Sequence, residues 1–149
     1  MMAIMTDPSL PPQRMAEAAA AFAAALGRDD FATAGGWLAA DCVCEAGREV
    51  LSGRDAVLAA FAKVSALNGS RFDDVRHESE VVSATDSVVT LRFTDYLVKA
   101  GGQFHRHRTV QRVTFDVEGR IVRIVHEEDT VQSEALRVFC RACGVEPQS

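Results

Sequence analysis

Two periods of hydrophobicity divide the chain. Up to Leu67 the apolar residues mostly recur at helical spacing, and from Phe72 to Val131 they recur at every second position. Arg14 to Leu26 is alanine-rich, sets Phe22 and Leu26 four apart, and meets Gly27, which predicts a helix and its stop. Asp29 or Asp30 is placed to cap a second, short helix through Trp37 and Leu38, although Gly35 and Gly36 weaken it in isolation. Asp41 to Ala46 alternates as a strand, and Arg48 to Leu51 is able to return as a hairpin arm. Gly53 then precedes a third helix, Arg54 to Leu67, with Val57, Leu58, Phe61, Val64 and Leu67 on one stripe and Asn68-Gly69 at its end.

The period-two half predicts strands near Phe72–Ala84, Ser87–Lys99, Gln103–Val117 and Arg120–Val131. The turns at Thr85-Asp86, Ala100-Gly101-Gly102 and Glu118-Gly119 are short, so these strands pair antiparallel as a meander. A last helix covers Gln132 to Cys143, before Gly144. Helices gathered on one face of an antiparallel sheet make an α+β domain. Strands this long bend, and a curved antiparallel sheet wrapped around helices encloses a cavity.

Composition narrows the function classes. The chain has 149 residues, enough for one domain with a core; it is 48% hydrophobic, 25% charged and carries a net charge of −5. No basic stripe suggests nucleic acid, and no apolar run reaches the ~20 residues needed to span a bilayer. The opening MMAIMTDPSLPPQ is too short and too early in prolines for a signal peptide. Residues 1–13 are expected as a disordered tail before a single domain over 14–149, in the cytoplasm. Cys42 and Cys44 share one face of a strand, and Cys140 and Cys143 one face of a helix. Small apolar packing explains them better than a zinc site.

The closing strand, GRIVRIVHEED, raises the chemical question. His126 follows Val122 and Ile124 on one face and is placed either to move a proton at a pocket mouth or to mark where the strand meets water. On the central strand one face carries Val88, Thr90, Arg92, Thr94 and Tyr96. The other carries Val89, Leu91, Phe93 and Leu97, interrupted by Asp95, so alternation alone leaves open which of them faces the cavity. In FHRHRTVQR, five cationic or titratable side chains crowd one strand. His105 and His107 lack a third metal ligand and are expected at solvent or an interface, with Arg108 and Arg112 near the pocket rim.

The stretches LAADCVCEAG, LSGRDAVLAAF and EGRIVRIVHEED resemble the nuclear transport factor 2-like superfamily, in its SnoaL-like and ketosteroid isomerase-like branch. The resemblance covers nearly all of residues 14–143 and implies a cone-shaped α+β barrel (the cystatin-like architecture) with a deep pocket and, as often in that superfamily, a homodimer through the outer face of the sheet. It favours Arg92 pointing inward, at the place of a central-strand arginine in limonene epoxide hydrolase, with Glu128 as a candidate partner. The other positions depart from that enzyme. Thr94 and His126 stand where it has aspartates, and Cys44 and Ala46 where it holds water with a tyrosine and an asparagine, so its mechanism is not expected. The isomerase base falls on Ala46; the neighbouring Glu45 points outward by plain alternation.

Two readings follow. One is a cofactor-independent isomerase, cyclase, dehydratase or hydrolase acting on a small apolar or carbonyl-bearing molecule. In it His126 moves the proton, Arg92 stabilises oxyanion charge, and Thr94 or Tyr96 donates hydrogen bonds. Trp37, Cys44, Leu58, Phe61, Arg108 and Glu128 line the pocket. The other is a ligand-binding or dimeric interaction domain without turnover.

Overall fold

The computed structural model describes residues 10–99 and 101–146, so the first nine residues, Ala100 and the last three lie outside it. Its elements run α1 (Pro12–Gly27), α2 (Phe31–Gly36), β1 (Leu38–Ala46), β2 (Glu49–Ser52), α3 (Arg54–Arg71), β3 (Asp74–Thr85), β4 (Val88–Lys99), β5 (Gln103–Phe115), β6 (Ile121–Glu127) and α4 (Thr130–Cys143). The α+β class and the curved sheet expected from the sequence are present. Pro12 opens α1, where a missing N–H costs nothing, and Leu10 already packs against the core. Ordered structure therefore begins inside the stretch read as a tail. Asp30 caps α2 by accepting from the Thr33 amide. Leu38, expected in that helix, instead starts β1, and α3 runs past Asn68 and Gly69 to Arg71.

The strands form one six-stranded sheet in the order β2-β1-β6-β5-β4-β3. The predicted meander spans β3 to β6, but β1 joins β6 in parallel, so the sheet is mixed rather than wholly antiparallel. The β3–β4 turn places Asp86 and Ser87 at φ 51° and 66°, the primed-turn geometry that suits the twist of a hairpin. Asp116 closes the β5–β6 turn by accepting from the Glu118 and Arg120 amides.

Val89 and Leu91 of β4, Val113 of β5, Ile124 of β6 and Cys42 and Cys44 of β1 form the floor of the main core. Met15, Ala19, Phe22 and Ala23 of α1 cover them; the alanines let that helix lie close to the sheet. A second cluster, Phe72, Leu97, Cys140 and Val145, anchors α4 at the far end of the same face. The two cysteine pairs thus belong to separate cores. Of the α3 stripe only Val57 is buried, and Val64 is 42% exposed, so this helix closes the cone loosely.

Candidate functional site

Strand register decides which side chains face the helices. His126 pairs with Gln111, and Gln111 pairs with Leu91, whose side chain is fully buried in the core. Arg92 pairs with Val110, and Val110 with Glu127. Cross-strand partners share a face, so His126 points to the concave side and Arg92 to the convex side. The expectation of an inward Arg92 is corrected. Its Nη1 donates to Glu80 Oε1 at 2.6 Å, and Glu128 is not its partner. Thr94 and Tyr96 go with it. Thr94 is buried within the convex face, and the Tyr96 hydroxyl donates to Glu78 Oε2 at 2.9 Å. The reason is hydrophobic burial. Turning Val89, Leu91, Phe93 and Leu97 inward stabilises more than the single inward carboxylate, Asp95, costs. Glu45 also faces outward and binds Arg123.

The concave face gathers the titratable groups instead. Register places His77, Asp95 and His107 in one row across β3, β4 and β5, with His105, Gln111 and His126 on the same face. His77 Nδ1 lies 2.7 Å from Asp95 Oδ1, and this hydrogen bond raises the His77 pKa above its ordinary value. His105 stacks on Phe139 of α4, with ring centroids 5.0 Å apart. Both histidines of the FHRHR stretch therefore point inward, away from the solvent or interface expected for them, while strand alternation sends the arginines to the other side. Among the described residues, three buried side-chain atoms have no hydrogen-bond partner: His105 Nε2, His107 Nδ1 and Gln111 Oε1.

A cavity of about 370 Å³ opens where β5 and β6 meet the start of α4, lined by Ala46, Gly47, His107, Thr109, His126 and Glu128, with Arg108, Glu127, Asp129, Thr130, Gln132 and Ser133 completing its border. Burial lowers the pKa of both His107 and His126, and Glu128 partly opposes this at His126. The two rings are accordingly held neutral near neutral pH, the form that accepts a proton. The acids that follow His126 have three separate tasks. Glu127 pairs with Arg112 on the convex face. Glu128 sits over Gly47, where a Cβ would collide with its Oε1. Asp129 caps α4 by accepting from the Val131 and Gln132 amides. A wider groove of about 690 Å³ lies between His105 and the apolar side of α4, but it is open and has few convergent polar groups.

Of the other expected pocket residues, Arg108 reaches the rim and its backbone amide donates to Gln132 Oε1 at 2.9 Å. Cys44 is buried in the core, with its thiol pKa raised chiefly by that burial. Trp37, Leu58 and Phe61 pack against the core from the helices, Phe61 edge-on to Phe22. None of these four borders the cavity. His77, His107 and Gln111 were missed as concave-face residues, and only the register could add them; Asp95 lies on one of the two faces that alternation had left open for the cavity.

The SnoaL-like domain family matches residues 19–124, well over half of the chain. The chain belongs to that family. Several solved structures share this SnoaL-like fold. A Xanthomonas campestris pv. campestris protein assigned as a polyketide cyclase is 19% identical, with a TM-score of 0.64 over 83% of this chain and 96% of that one. An LEH-like epoxide hydrolase of M. tuberculosis is 20% identical, with a TM-score of 0.64 over 88% and 96%. TerC, crystallised with polyporic acid, is 16% identical, with a TM-score of 0.65 over 83% and 97%. No curated protein sequence matches. At these identities the likeness is one of fold. The family match ends at Ile124, so His126, Glu128 and the α4 rim lie beyond it.

Proposed function

We propose that this SnoaL-like protein binds a small molecule on the concave face of its sheet and transfers a proton to or from it without a cofactor. The observation that carries this reading is that His107 and His126 line one cavity while burial holds both rings neutral. His126 acts as the proton acceptor. Thr109 and His107 are the hydrogen-bonding groups beside it, in place of the convex-face Arg92, Thr94 and Tyr96. The cavity suits one compact ring system bearing a carbonyl or hydroxyl group. The test is turnover of cyclic carbonyl and enol compounds by the wild type and His126→Ala. Loss of turnover in a folded variant supports the reading, and unchanged turnover removes His126 from it.

The second reading, binding without turnover, is favoured by the separation of Arg92 from His126, which puts the cation expected beside the base on the other face of the sheet. It expects equal ligand affinity in the wild type and His126→Ala, with no product from either. For the convex face we infer contact with a second copy of the chain. Phe104 is 58% exposed there and stacks on Tyr96 at 5.9 Å. Sedimentation of the wild type as a dimer and of Phe104→Asp as a monomer is the expected result.

A further inference from the structure

The last helix, α4, is apolar on two sides. One side carries Leu136, Phe139, Cys140 and Cys143 and packs into the second core. The other carries Val131, Ala135, Val138 and Ala142, and it is exposed, Val131 at 75% and Val138 at 54%. These four residues recur at spacings of four, three and four, the seam along which two helices pack. The open groove of about 690 Å³ follows this side, where Val131, Ala135, Val138 and Phe139 face His105 and Glu134 stands on the border. A small molecule needs enclosure, whereas an open apolar groove suits a helix.

We propose that this groove receives α4 of a second copy of the chain, in antiparallel orientation. The flanking charges decide both the occupant and its direction. One flank of the stripe carries Glu134 near the start of the helix and Arg141 at its end, both exposed. The other carries Gln132 and Phe139, which are held within the domain by Arg108 and by the second core. A two-fold pairing about the middle of the stripe, between Ala135 and Val138, brings like flanks together in reversed order. Glu134 then meets Arg141 of the partner subunit, twice over, and each valine meets an alanine. A parallel pairing would set the charged flank against glutamine and phenylalanine and match neither charge. The bridge of Glu134 to Arg137 within the helix, at 3.0 Å, is exposed and holds the carboxylate only weakly. One short helical stripe is smaller than the about 1,000 Å² of a stable interface, so the pairing depends on concentration. It uses α4 rather than the convex face, and doubles whatever unit that face forms.

The test is sedimentation of the full chain from about 10 µM to about 1 mM, a range that brackets a weak pairing. The wild type is expected to double in mass across it. Val138→Glu should hold the mass at its low-concentration value with an unchanged melting temperature, and Val131→Glu repeats the comparison at the other exposed valine. Glu134→Arg and Arg141→Glu should each weaken the doubling about tenfold, and the two together should restore it to within about threefold, because the pair re-forms with its signs exchanged. Phe104→Asp should start from a smaller unit and still double. A constant mass in the wild type would overturn the inference and leave the groove to a partner of another kind. Doubling kept in both valine variants, or no rescue in the charge-exchanged double variant, would overturn it as well. Doubling abolished by Phe104→Asp would overturn it by assigning the contact to the convex face.

Discussion

Asp95 on β4 and His77 on β3 are cross-strand neighbours whose carboxylate and imidazole meet at 2.7 Å on the concave face. The pair lets a carboxylate point toward the helices, since His77 supplies its donor and, when protonated, its counter-charge. The His77 pKa is raised in the fold, first by this hydrogen bond. Its stabilisation is complete below the unfolded value of 6.5 and is lost as pH rises through the higher folded value. Asp95→Asn should therefore cost more stability at pH 5.5 than at pH 8.5, by about 1 kcal/mol for a partly exposed pair. Denaturant melts at the two pH values check this; equal losses would mean that the pair does not titrate.

The other three histidines act in the opposite direction. Burial lowers the pKa of His105, His107 and His126 in the fold, so the unfolded chain takes up their protons first. Stability should fall as pH drops from about 6.5 toward the folded values. Three such groups against the one His77 predict a net acid-side loss of stability before the carboxylates titrate. Replacing His126 with asparagine should make the acid limb of the melting-temperature profile shallower. An unchanged limb would show that His126 is already well solvated.

Gly47 is required by its backbone. Its φ is +60°, whereas the Glu128 carboxylate that a Cβ would meet is the end of an exposed, flexible side chain that can move aside. Gly47→Ala should destabilise the protein by about 1–2 kcal/mol. Adding Glu128→Ala relieves that contact but not the backbone strain, so the double variant should recover little of the loss. Full recovery in thermal melts would show that the left-handed conformation is not maintained.

Arg92 serves as a control across the sheet. Its bridge to Glu80 is exposed, at 39% and 59% for the two side chains, and such pairs contribute under about 1 kcal/mol. Arg92→Ala should leave ligand affinity and any turnover unchanged, while His126→Ala does not. A loss of ligand binding in Arg92→Ala would move the site to the convex face.

The fold was legible in the sequence because the switch from helical to alternating periodicity follows directly from burial on one face. The placement of β1 was not, since no local pattern records that it joins β6 in parallel across most of the chain. His126 could be placed because Ile124 precedes it on one face of the strand; Val122, read on that face too, gives way to Ile121 in the core across the irregularity opposite Phe115. The face of β4 could not, because Asp95 interrupts the apolar row and its compensation comes from His77 on another strand. Gln111 reads as an ordinary polar strand residue until the register sets it beside Leu91.

The most direct test is an NMR titration of the four histidine side chains with p-cresol. The account predicts that the His107 and His126 resonances shift together and saturate at one ligand concentration, while Arg92 and Tyr96 on the convex face stay fixed. Unmoved His107 and His126, with changes confined to Arg92 and Tyr96, would contradict it.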